Sequence, residues 1–468
     1  MAKMTSRLRS WTVCAGAILL AAPSRVPAAA PVDERPNIIF IMADDMGYAD
    51  LSCYGAQGYQ TPAIDRLAAE GERFSQAYVS SPVCSPSRAS LLTGQYPGRF
   101  NAGLNEPNTA YPAGQELPLA TPTIASTLRS VGYRTSLIGK WHLTEIPQFS
   151  PTRYGYDHFF GIKGGAADYF THKVRARTDD PALGLYEDDR PVSRDGYLTN
   201  VLTDEAVRQI RAPGPKPLFL SLHFNAPHWP WEGPEDGERP RSLKDLWDRS
   251  GGSLETYAAM MKNMDANVAR VLDAIDAAGK RRNTIVIFTS DNGGERYSNM
   301  WPLTGYKGEL LEGGIRVPFI IRWPGHIRAG SRSDQVISLM DMLPTFAAAA
   351  RAPVPTRLDG ENMLPHMIGR SPDAPRTMFW RFKASEQGAV RQGDWKYLRL
   401  GGKEHLFNVR KDPHERADLK EVYPQVLAEL KAKWAAWNAQ MLPYPAGSFS
   451  ESVADTFADR YPEAPTAK

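Results

Sequence analysis

The strongest constraint on the fold comes from four short apolar runs, each followed at once by polar residues. Short runs rich in Ile, Leu, Val and Phe are typical of strands that are buried on both faces of a parallel sheet. Because stretches with helical periodicity separate these runs, we predict an α/β fold with a parallel or mixed sheet between helices on both faces. The four predicted strands are Asn37–Met42, Arg134–Ile138, Leu218–Phe224 and Thr284–Thr289.

Capping residues indicate where the intervening helices begin and end. Thr61 and Thr121 each precede a proline, and they are N-cap candidates for helices that Gly71 and Gly132 close. A longer amphipathic stretch, Leu254–Ala278, predicts a further helix before the last of the four strands.

The side chains best suited to chemistry come directly after the four strands. In open α/β sheets, ligands bind beyond the carboxyl ends of the strands, so we expect these side chains to converge on one site. The acidic and amide oxygens among them suit Ca²⁺ or Mg²⁺ better than zinc. The residues are Asp44-Asp45, Lys140 with His142, His228, and Asp291-Asn292.

The composition changes after about residue 352, where a stretch rich in Pro, Gly and charged residues begins. Short β-like runs at 378–382, 388–400 and 405–409 then precede an amphipathic segment, Tyr423–Met441. This pattern predicts a smaller antiparallel sheet with one helix packed on it. We therefore predict a large domain over 31–360 and a C-terminal α+β subdomain over 361–468, with a loosely ordered tail after Pro443.

Residues 1–30 have the pattern of a signal peptide. Lys3, Arg7 and Arg9 precede an apolar core, and Ala28-Ala29-Ala30 resembles a cleavage site. We expect an exported protein, periplasmic or secreted, with no membrane span in the mature chain; a short N-terminal anchor is the alternative. Cleavage would remove four basic and no acidic residues, which changes the formal charge from +3 to −1. A nearly neutral mature chain without a basic cluster argues against a nucleic-acid partner.

The most informative short motif is residues 84–94, Cys-Ser-Pro-Ser-Arg-Ala-Ser-Leu-Leu-Thr-Gly. Pro86 fits the first turn of a helix, which places Cys84 at the helix N-terminus. Unpaired backbone N–H groups and the helix dipole stabilise an anion there. Arg88 lies one turn further on the same face and adds a fixed positive charge. The motif therefore predicts a cysteine in an anion-binding environment.

This cysteine motif resembles the signature of the type I sulfatases, in which a dedicated enzyme oxidises the cysteine to formylglycine. Further stretches resemble the arylsulfatase A-like group of that family: Gly139-Lys140-Trp141-His142, Ala226-Pro227-His228, residues 307–314 and residues 406–419. The resemblance implies an alkaline-phosphatase-like large domain and hydrolysis of sulfate esters to an alcohol and inorganic sulfate. It also implies a formylglycine-generating enzyme as a partner during maturation.

The resemblance further implies a role for each matching residue. One Ca²⁺ would be held by Asp44, Asp45, Asp291 and Asn292, and the modified Cys84 would complete its coordination. Lys140 and Lys307 would contact the sulfate, with Arg88 adding positive charge. His142 would hydrogen-bond the formylglycine hydroxyl, and His228 would bind a sulfate oxygen and protonate the departing alcohol. Outside this set, we expect Glu312 and Arg316 to hold their loop by an ion pair.

Two other functions are compatible with the same residues. One is a phosphoester hydrolase of the same superfamily, although Asn292 and the cysteine motif disfavour it. The other is a non-catalytic protein that binds sulfated glycans. The substrate is expected to be a sulfated small molecule or saccharide, with aryl sulfates as surrogates. Trp229, Trp231 and Trp301 are candidates for stacking on sugar rings, with packing as the alternative, and segments 161–195 and 229–249 are expected to shape the pocket rim.

Overall fold

The computed structural model describes Met1 and residues 35–109, 114–174, 184–237 and 251–451. Most of the predicted signal peptide and the end of the tail lie outside these ranges. From Arg35 onward the described residues belong to one compact unit, Asp33–Lys468. Within the described residues, no helix combines the length and apolar character needed to cross a bilayer.

The centre of the molecule is a mixed sheet of 11 strands, in the order β10-β2-β9-β8-β1-β7-β3-β4-β5-β6, with β11 also paired to β2. The central strands β8, β1, β7, β3 and β4 are parallel, and antiparallel pairs join β9 and β5 to them. The strands of this sheet are β1 Asn37–Ala43, β2 Glu72–Tyr78, β3 Arg134–Gly139, β4 His158–Ile162, β5 Leu185–Glu187, β6 Arg190–Val192, β7 Leu218–His223, β8 Thr284–Ser290, β9 Arg316–Arg322, β10 Ser331–Ser333 and β11 Ile337–Ser338.

Helices cover both faces of the sheet, as predicted. The described helices are α1 Pro62–Ala69, α2 Cys84–Thr93, α3 Ile124–Ser130, α4 Leu198–Arg211, α5 Leu254–Ala277, α6 Glu312–Ile315, α7 Met342–Ala349, α8 Leu364–Met367 and α9 Pro424–Asn438. Along β1, Phe40 joins the core formed with α2, α3 and α7, whereas Ile39 and Ile41 join the core formed with α1, α4 and α5. Because successive side chains of a strand point to opposite faces, both faces of β1 must be apolar.

A second sheet follows the large one. Its four antiparallel strands are β12 Thr377–Phe382, β13 Gln387–Gln392, β14 Trp395–Leu400 and β15 Lys403–Asn408. Helix α9 packs on it through Leu430, Trp434 and Trp437, which share a core with Val390 and Tyr397. The predicted small sheet with one packed helix is therefore observed; the boundary at residue 360 stays a prediction.

The structure corrects three details of the sequence analysis. Helix α3 begins at Ile124 and not near Pro122, because Thr123 and Ser126 form a capping box. Of the 11 strands of the large sheet, the sequence predicts β1, β3, β7 and β8; the other seven, among them β2, β4 and β9, carry no strand prediction. The chain after Pro443 is not loose as far as residue 451, since Tyr444 Oη donates a hydrogen bond of 2.7 Å to Glu106 Oε1.

Candidate active site

The structure places the candidate residues together at the carboxyl edge of the large sheet. Asp44 follows β1, Lys140 follows β3 and Asp291 follows β8, and all three are fully buried. Strand β7, between β1 and β3, leads to His228. Cys84 reaches the same place as the first residue of α2. Two candidate cations, Arg88 and Lys307, also contact this group of residues, as described below.

Unusual backbone conformations turn the chain out of the strands and into this site. Gly139 has a φ of +110°, and a Cβ there would lie 1.7 Å from the carbonyl oxygen of His223 on the neighbouring strand. Asp45 and His142 also adopt positive φ values, of 61° and 56°. Only glycine fits without a clash at position 139, and such strain in non-glycine residues is concentrated at functional sites.

Cys84 lies in a buried and acidic position. Its Sγ is 3.4 Å from Asp44 Oδ1 and 3.6 Å from Asp45 Oδ1. Burial raises the pKa of the Cys84 thiol well above its ordinary value, and the two carboxylates add to the shift, although Lys140 and Lys307 oppose it. The unmodified side chain is therefore a neutral thiol at physiological pH, and a thiol is a poor nucleophile.

Arg88 connects two of the carboxylates. Its Nε and Nη2 atoms lie 2.9 and 2.7 Å from Asp291 Oδ2, and Nη2 lies 3.3 Å from Asp44 Oδ1. Burial opposes ionisation of Asp291, but Arg88 and Lys140 hold its pKa below its usual value. Burial and the nearby Asp291 charge instead raise the pKa of Asp44 to about 8. The cations of the protein therefore compensate Asp291 well and Asp44 only partly.

The two lysines contact the acidic pair that follows β1. Lys140 Nζ is 2.5 Å from Asp44 Oδ2, and Lys307 Nζ is 2.5 Å from Asp45 Oδ2. Although burial favours the neutral amine, the Asp45 carboxylate raises the pKa of Lys307 well above its usual value. The buried ammonium of Lys307 therefore stays charged beside Cys84.

The two histidines are held by backbone carbonyls. His228 Nδ1 lies 2.5 Å from the oxygen of Trp229, and its Nε2 lies 3.4 Å from Asp45 Oδ2. His142 Nε2 lies 3.1 Å from the oxygen of Asn108. Burial, then the Lys140 charge, holds the pKa of both histidines well below the usual value. Both rings are therefore neutral in this arrangement.

Possible metal ligands converge at the carboxyl edge of the sheet. Atoms of Asp44, Asp45, Cys84 and His228 lie within 4.8 Å of one another. Asn292 Nδ2 donates a hydrogen bond of 2.7 Å to Asp45 Oδ1, whereas its buried Oδ1 has no hydrogen-bond partner. A buried oxygen without a donor is costly unless a cation or another donor meets it. This orphaned oxygen, on an amide that contacts Asp45, matches the oxygen ligands that Ca²⁺ or Mg²⁺ prefers.

Some residues in contact with the site carry no clear signal in the sequence. Glu295 Oε2 lies 3.7 Å from Lys307 Nζ, and its position three residues after Asn292 is its one weak sequence signal. His223 Nδ1 lies 3.2 Å from the carbonyl oxygen of Lys140, and as the last residue of β7 it belongs to a predicted strand.

The segments expected to shape the rim are partly described. Tyr169 Oη donates a hydrogen bond of 2.9 Å to the carbonyl oxygen of His228, which connects segment 161–195 to the site. Trp229 and Trp231 are buried in the core with α5, so packing accounts for both. Trp301 is 66% exposed and contacts His414, with 4.8 Å between the ring centroids. Of these three tryptophans, Trp301 alone is exposed. The expected ion pair of Glu312 and Arg316 is present, at 3.4 Å.

Comparisons with known proteins agree with this geometry. The Sulfatase family profile matches residues 36–352, and the profile of the N-sulphoglucosamine sulphohydrolase C-terminal region matches residues 306–440. Arylsulfatase J of Mus musculus is 30% identical over 486 residues, covering 88% of this chain and 79% of that protein. N-acetylgalactosamine-6-sulfatase of Mus musculus is 32% identical over 403 residues, covering 81% of this chain and 74% of that protein.

Among solved structures, the chain is similar to Ps i-CgsB in complex with k-i-k-neocarrahexaose. The two share 31% sequence identity with a TM-score of 0.78, and the match covers 90% of this chain and 96% of that chain.

Proposed function

The chain belongs to the sulfatase family and is a sulfuric ester hydrolase, and we propose that it hydrolyses carbohydrate sulfates with a formylglycine made from Cys84 beside one Ca²⁺. The observation that carries this proposal is the position of Cys84. It is the first residue of α2, 3.4 Å from Asp44 Oδ1, in a site that also holds Arg88 and Lys307. A protonated thiol would serve poorly there as a nucleophile, which supports its conversion to another group.

Formylglycine, when installed, would supply a hydrated aldehyde that can attack sulfur and then release sulfate without leaving a stable ester on the protein. The side chains around it would have separate tasks. The N-terminus of α2 stabilises negative charge at position 84. His142 Nε2 donates to the oxygen of Asn108, so the Nδ1 of this neutral ring would accept a hydrogen bond from the hydroxyl of the modified residue.

The proposed calcium ligands are Asp44, Asp45, Asp291, Asn292 and the modified residue 84. Bound Ca²⁺ would supply positive charge that polarises the sulfate ester. The unpartnered Oδ1 of Asn292 supports this ligand set, because a cation would satisfy it. Arg88 would keep Asp291 ionised and correctly oriented through its two nitrogens.

Lys140 and Lys307 would bind the non-bridging sulfate oxygens. Both ammonium groups lie in the buried site beside Cys84, where low dielectric strengthens their attraction for an anion. His228 would bind a further sulfate oxygen and protonate the departing alcohol. Its low pKa arises from burial and from the lysines, so a bound sulfate that offsets the lysine charges would raise it toward the range that an acid needs.

A carbohydrate substrate is supported by two observations. Relatives at 30% identity or more include a sulfatase named for N-acetylgalactosamine and a protein solved with a neocarrahexaose. Trp301, between Asn292 and Lys307 in the chain, exposes an aromatic ring on which a sugar could stack. Aryl sulfates would act as convenient surrogates.

We also propose that the enzyme is exported, to the periplasm or outside the cell, after removal of residues 1–30. A formylglycine-generating enzyme would act on the chain during maturation. The catalytic domain would span 31–360 and the C-terminal subdomain 361–468.

The proposal is tested by producing the chain together with a formylglycine-generating enzyme. The peptide containing Cys84 should then be about 18 Da lighter than the unmodified peptide. The purified enzyme should release inorganic sulfate from defined sulfated saccharides and from an aryl sulfate, and Cys84→Ala should abolish that release. Chelation followed by readdition of Ca²⁺ should remove and restore activity.

Three outcomes would contradict the proposal. An undiminished rate in Cys84→Ala would exclude the modified residue as nucleophile. A faster rate on phosphate esters than on sulfate esters would favour the phosphoester hydrolase. Binding of sulfated saccharides by the modified protein without any sulfate release would favour a non-catalytic role.

A further inference from the structure

The backbone around Lys307 is fixed from three sides. We refer to residues 304–311 as the lysine loop. Lys307 N donates a hydrogen bond of 3.0 Å to the oxygen of Gly294, next to the Asp291-Asn292 turn. Gly308 N donates a hydrogen bond of 2.9 Å to the oxygen of Pro82, two residues before Cys84. The lysine loop therefore joins two segments that carry candidate site residues.

The third contact comes from the small sheet. Gln387, the first residue of β13, is buried, and its Oε1 accepts a hydrogen bond of 2.8 Å from Leu310 N. Its Nε2 donates a hydrogen bond of 2.9 Å to the oxygen of Gly308. One side-chain amide thus bridges two backbone groups of the lysine loop, just after Lys307. The family profile that covers residues 306–440 includes both partners of this bridge.

We propose that Gln387 is a positioning residue for Lys307. Through Gln387, the small sheet would hold the sulfate-binding ammonium of Lys307 in place, although Lys307 lies outside that sheet. This inference rests on the proposed function, in which Lys307 binds a sulfate oxygen. Gly308 has a φ of +84°, and glycine resists distortion less than any other residue, so the loop needs outside contacts to stay in place. Misplacing a catalytic group by 1 Å can cost about 100-fold in rate.

The chain offers a matched control for this amide. Gln335 is also buried, and its Oε1 accepts a hydrogen bond of 2.6 Å from Ala374 N while its Nε2 donates one of 2.9 Å to the oxygen of Val336. These bonds stabilise the region around β11 and involve none of the candidate site residues. Gln387→Met and Gln335→Met each keep the side-chain length and remove the same two kinds of bond.

Both variants should lose a similar amount of thermal stability, because each leaves buried backbone groups without hydrogen-bond partners. Only Gln387→Met should lose activity, by about 10- to 100-fold in kcat/KM. Its inhibition constant for inorganic sulfate should rise by a similar factor, which a loss of stability alone would not produce. Hydrogen exchange at the Leu310 amide should accelerate in Gln387→Met and stay unchanged in Gln335→Met.

A cycle with Lys307→Met tests whether Gln387 acts through the lysine. If it does, Gln387→Met should change kcat/KM by less than about 2-fold when Lys307 is already replaced. Equal activity of the two glutamine variants, or additive losses in the cycle, would overturn the inference while leaving the proposed function intact. A wild-type enzyme that releases no sulfate although residue 84 is modified would instead count against the proposed function. Unchanged hydrogen exchange at the Leu310 amide in Gln387→Met would overturn the positioning role, whether or not the enzyme releases sulfate.

Discussion

At the scale of single residues, Arg88 makes contacts that a lysine cannot reproduce. Its Nε and Nη2 atoms contact Asp291 Oδ2, while Nη1 donates a hydrogen bond of 2.9 Å to the carbonyl oxygen of Lys140. The planar guanidinium therefore fixes an acidic side chain and the backbone of a lysine at once, whereas an ammonium is a single point charge. We predict that Arg88→Lys lowers kcat/KM at least about 100-fold, measured from initial rates of sulfate release.

Arg322 provides the control for this substitution. It is also fully buried and pairs with Glu70, at 2.7 Å, away from the candidate site. Arg322→Lys should lower the melting temperature and leave the specific activity of the folded enzyme unchanged. Equal losses of specific activity in the two variants would contradict a special role for Arg88.

The sequence predicted most of the candidate site, because its members follow strands or lie in short motifs. Asp44 and Asp291 each come directly after an apolar run, and the fold brings strand ends together. Gln387 could not be found in this way. Its role depends on packing between two sheets, and nothing in its local sequence distinguishes it from Gln392 at the other end of the same strand.

At the scale of elements, Glu106 connects the loop after α2 to the C-terminal segment. Its Oε2 accepts hydrogen bonds from Lys383 N and Ser450 Oγ, each 2.8 Å long, and its Oε1 accepts one from Tyr444. Burial raises the pKa of Glu106 from 4.5 to about 7, although these donors oppose the shift. The folded protein therefore holds a proton at this carboxyl more tightly than the unfolded chain does.

The sign of the pH dependence follows from that difference. The contribution of Glu106 to stability is largest below pH 4.5 and decreases as the pH rises through about 7, because the fold must then bury a charge. We predict that Glu106→Gln, which stays neutral, flattens the decline in melting temperature between these two pH values. The measurement is a series of thermal unfolding curves for both proteins, and parallel curves would contradict the prediction.

Two of the strands that the sequence missed, β2 and β9, have local sequences that hide them. Strand β2 reads Glu-Arg-Phe-Ser-Gln-Ala-Tyr, and partly exposed polar residues interrupt its buried ones, so it contains no apolar run. Strand β9 contains Pro318. Because proline is disfavoured inside strands, it argues against a strand prediction for the apolar residues around it. Strand β9 pairs with β2 on one side and with β8 on the other, so both strands depend on tertiary pairing.

At the scale of the molecule, a buried ion network joins the two sheets. Lys396 on β14 is fully buried, with its Nζ 3.0 Å from Glu312 Oε1 and 2.8 Å from Glu415 Oε1. Although burial opposes ionisation, Lys396 and Arg316 lower the pKa of Glu312 to about 2. Removing the lysine would leave a buried negative charge without its main partner.

We predict that Lys396→Met lowers the free energy of unfolding by about 3–5 kcal/mol, measured by denaturant titration. Lys433→Met is the control, because Lys433 forms an exposed pair with Glu429 at 2.5 Å and its loss should cost less than about 1 kcal/mol. Both sheets should unfold in one transition in the wild type. Separate transitions for the two sheets would show that the network does not couple them.

The complete burial of α2 has a consequence for the order of events in biosynthesis. Every residue of this helix is buried, and Cys84 is 1% exposed. In the proposed function, the enzyme that modifies this side chain has to reach it before the large sheet closes around α2. The proposed modification would therefore compete in time with folding, and we expect molecules that fold before it to stay inactive for the rest of their lifetime.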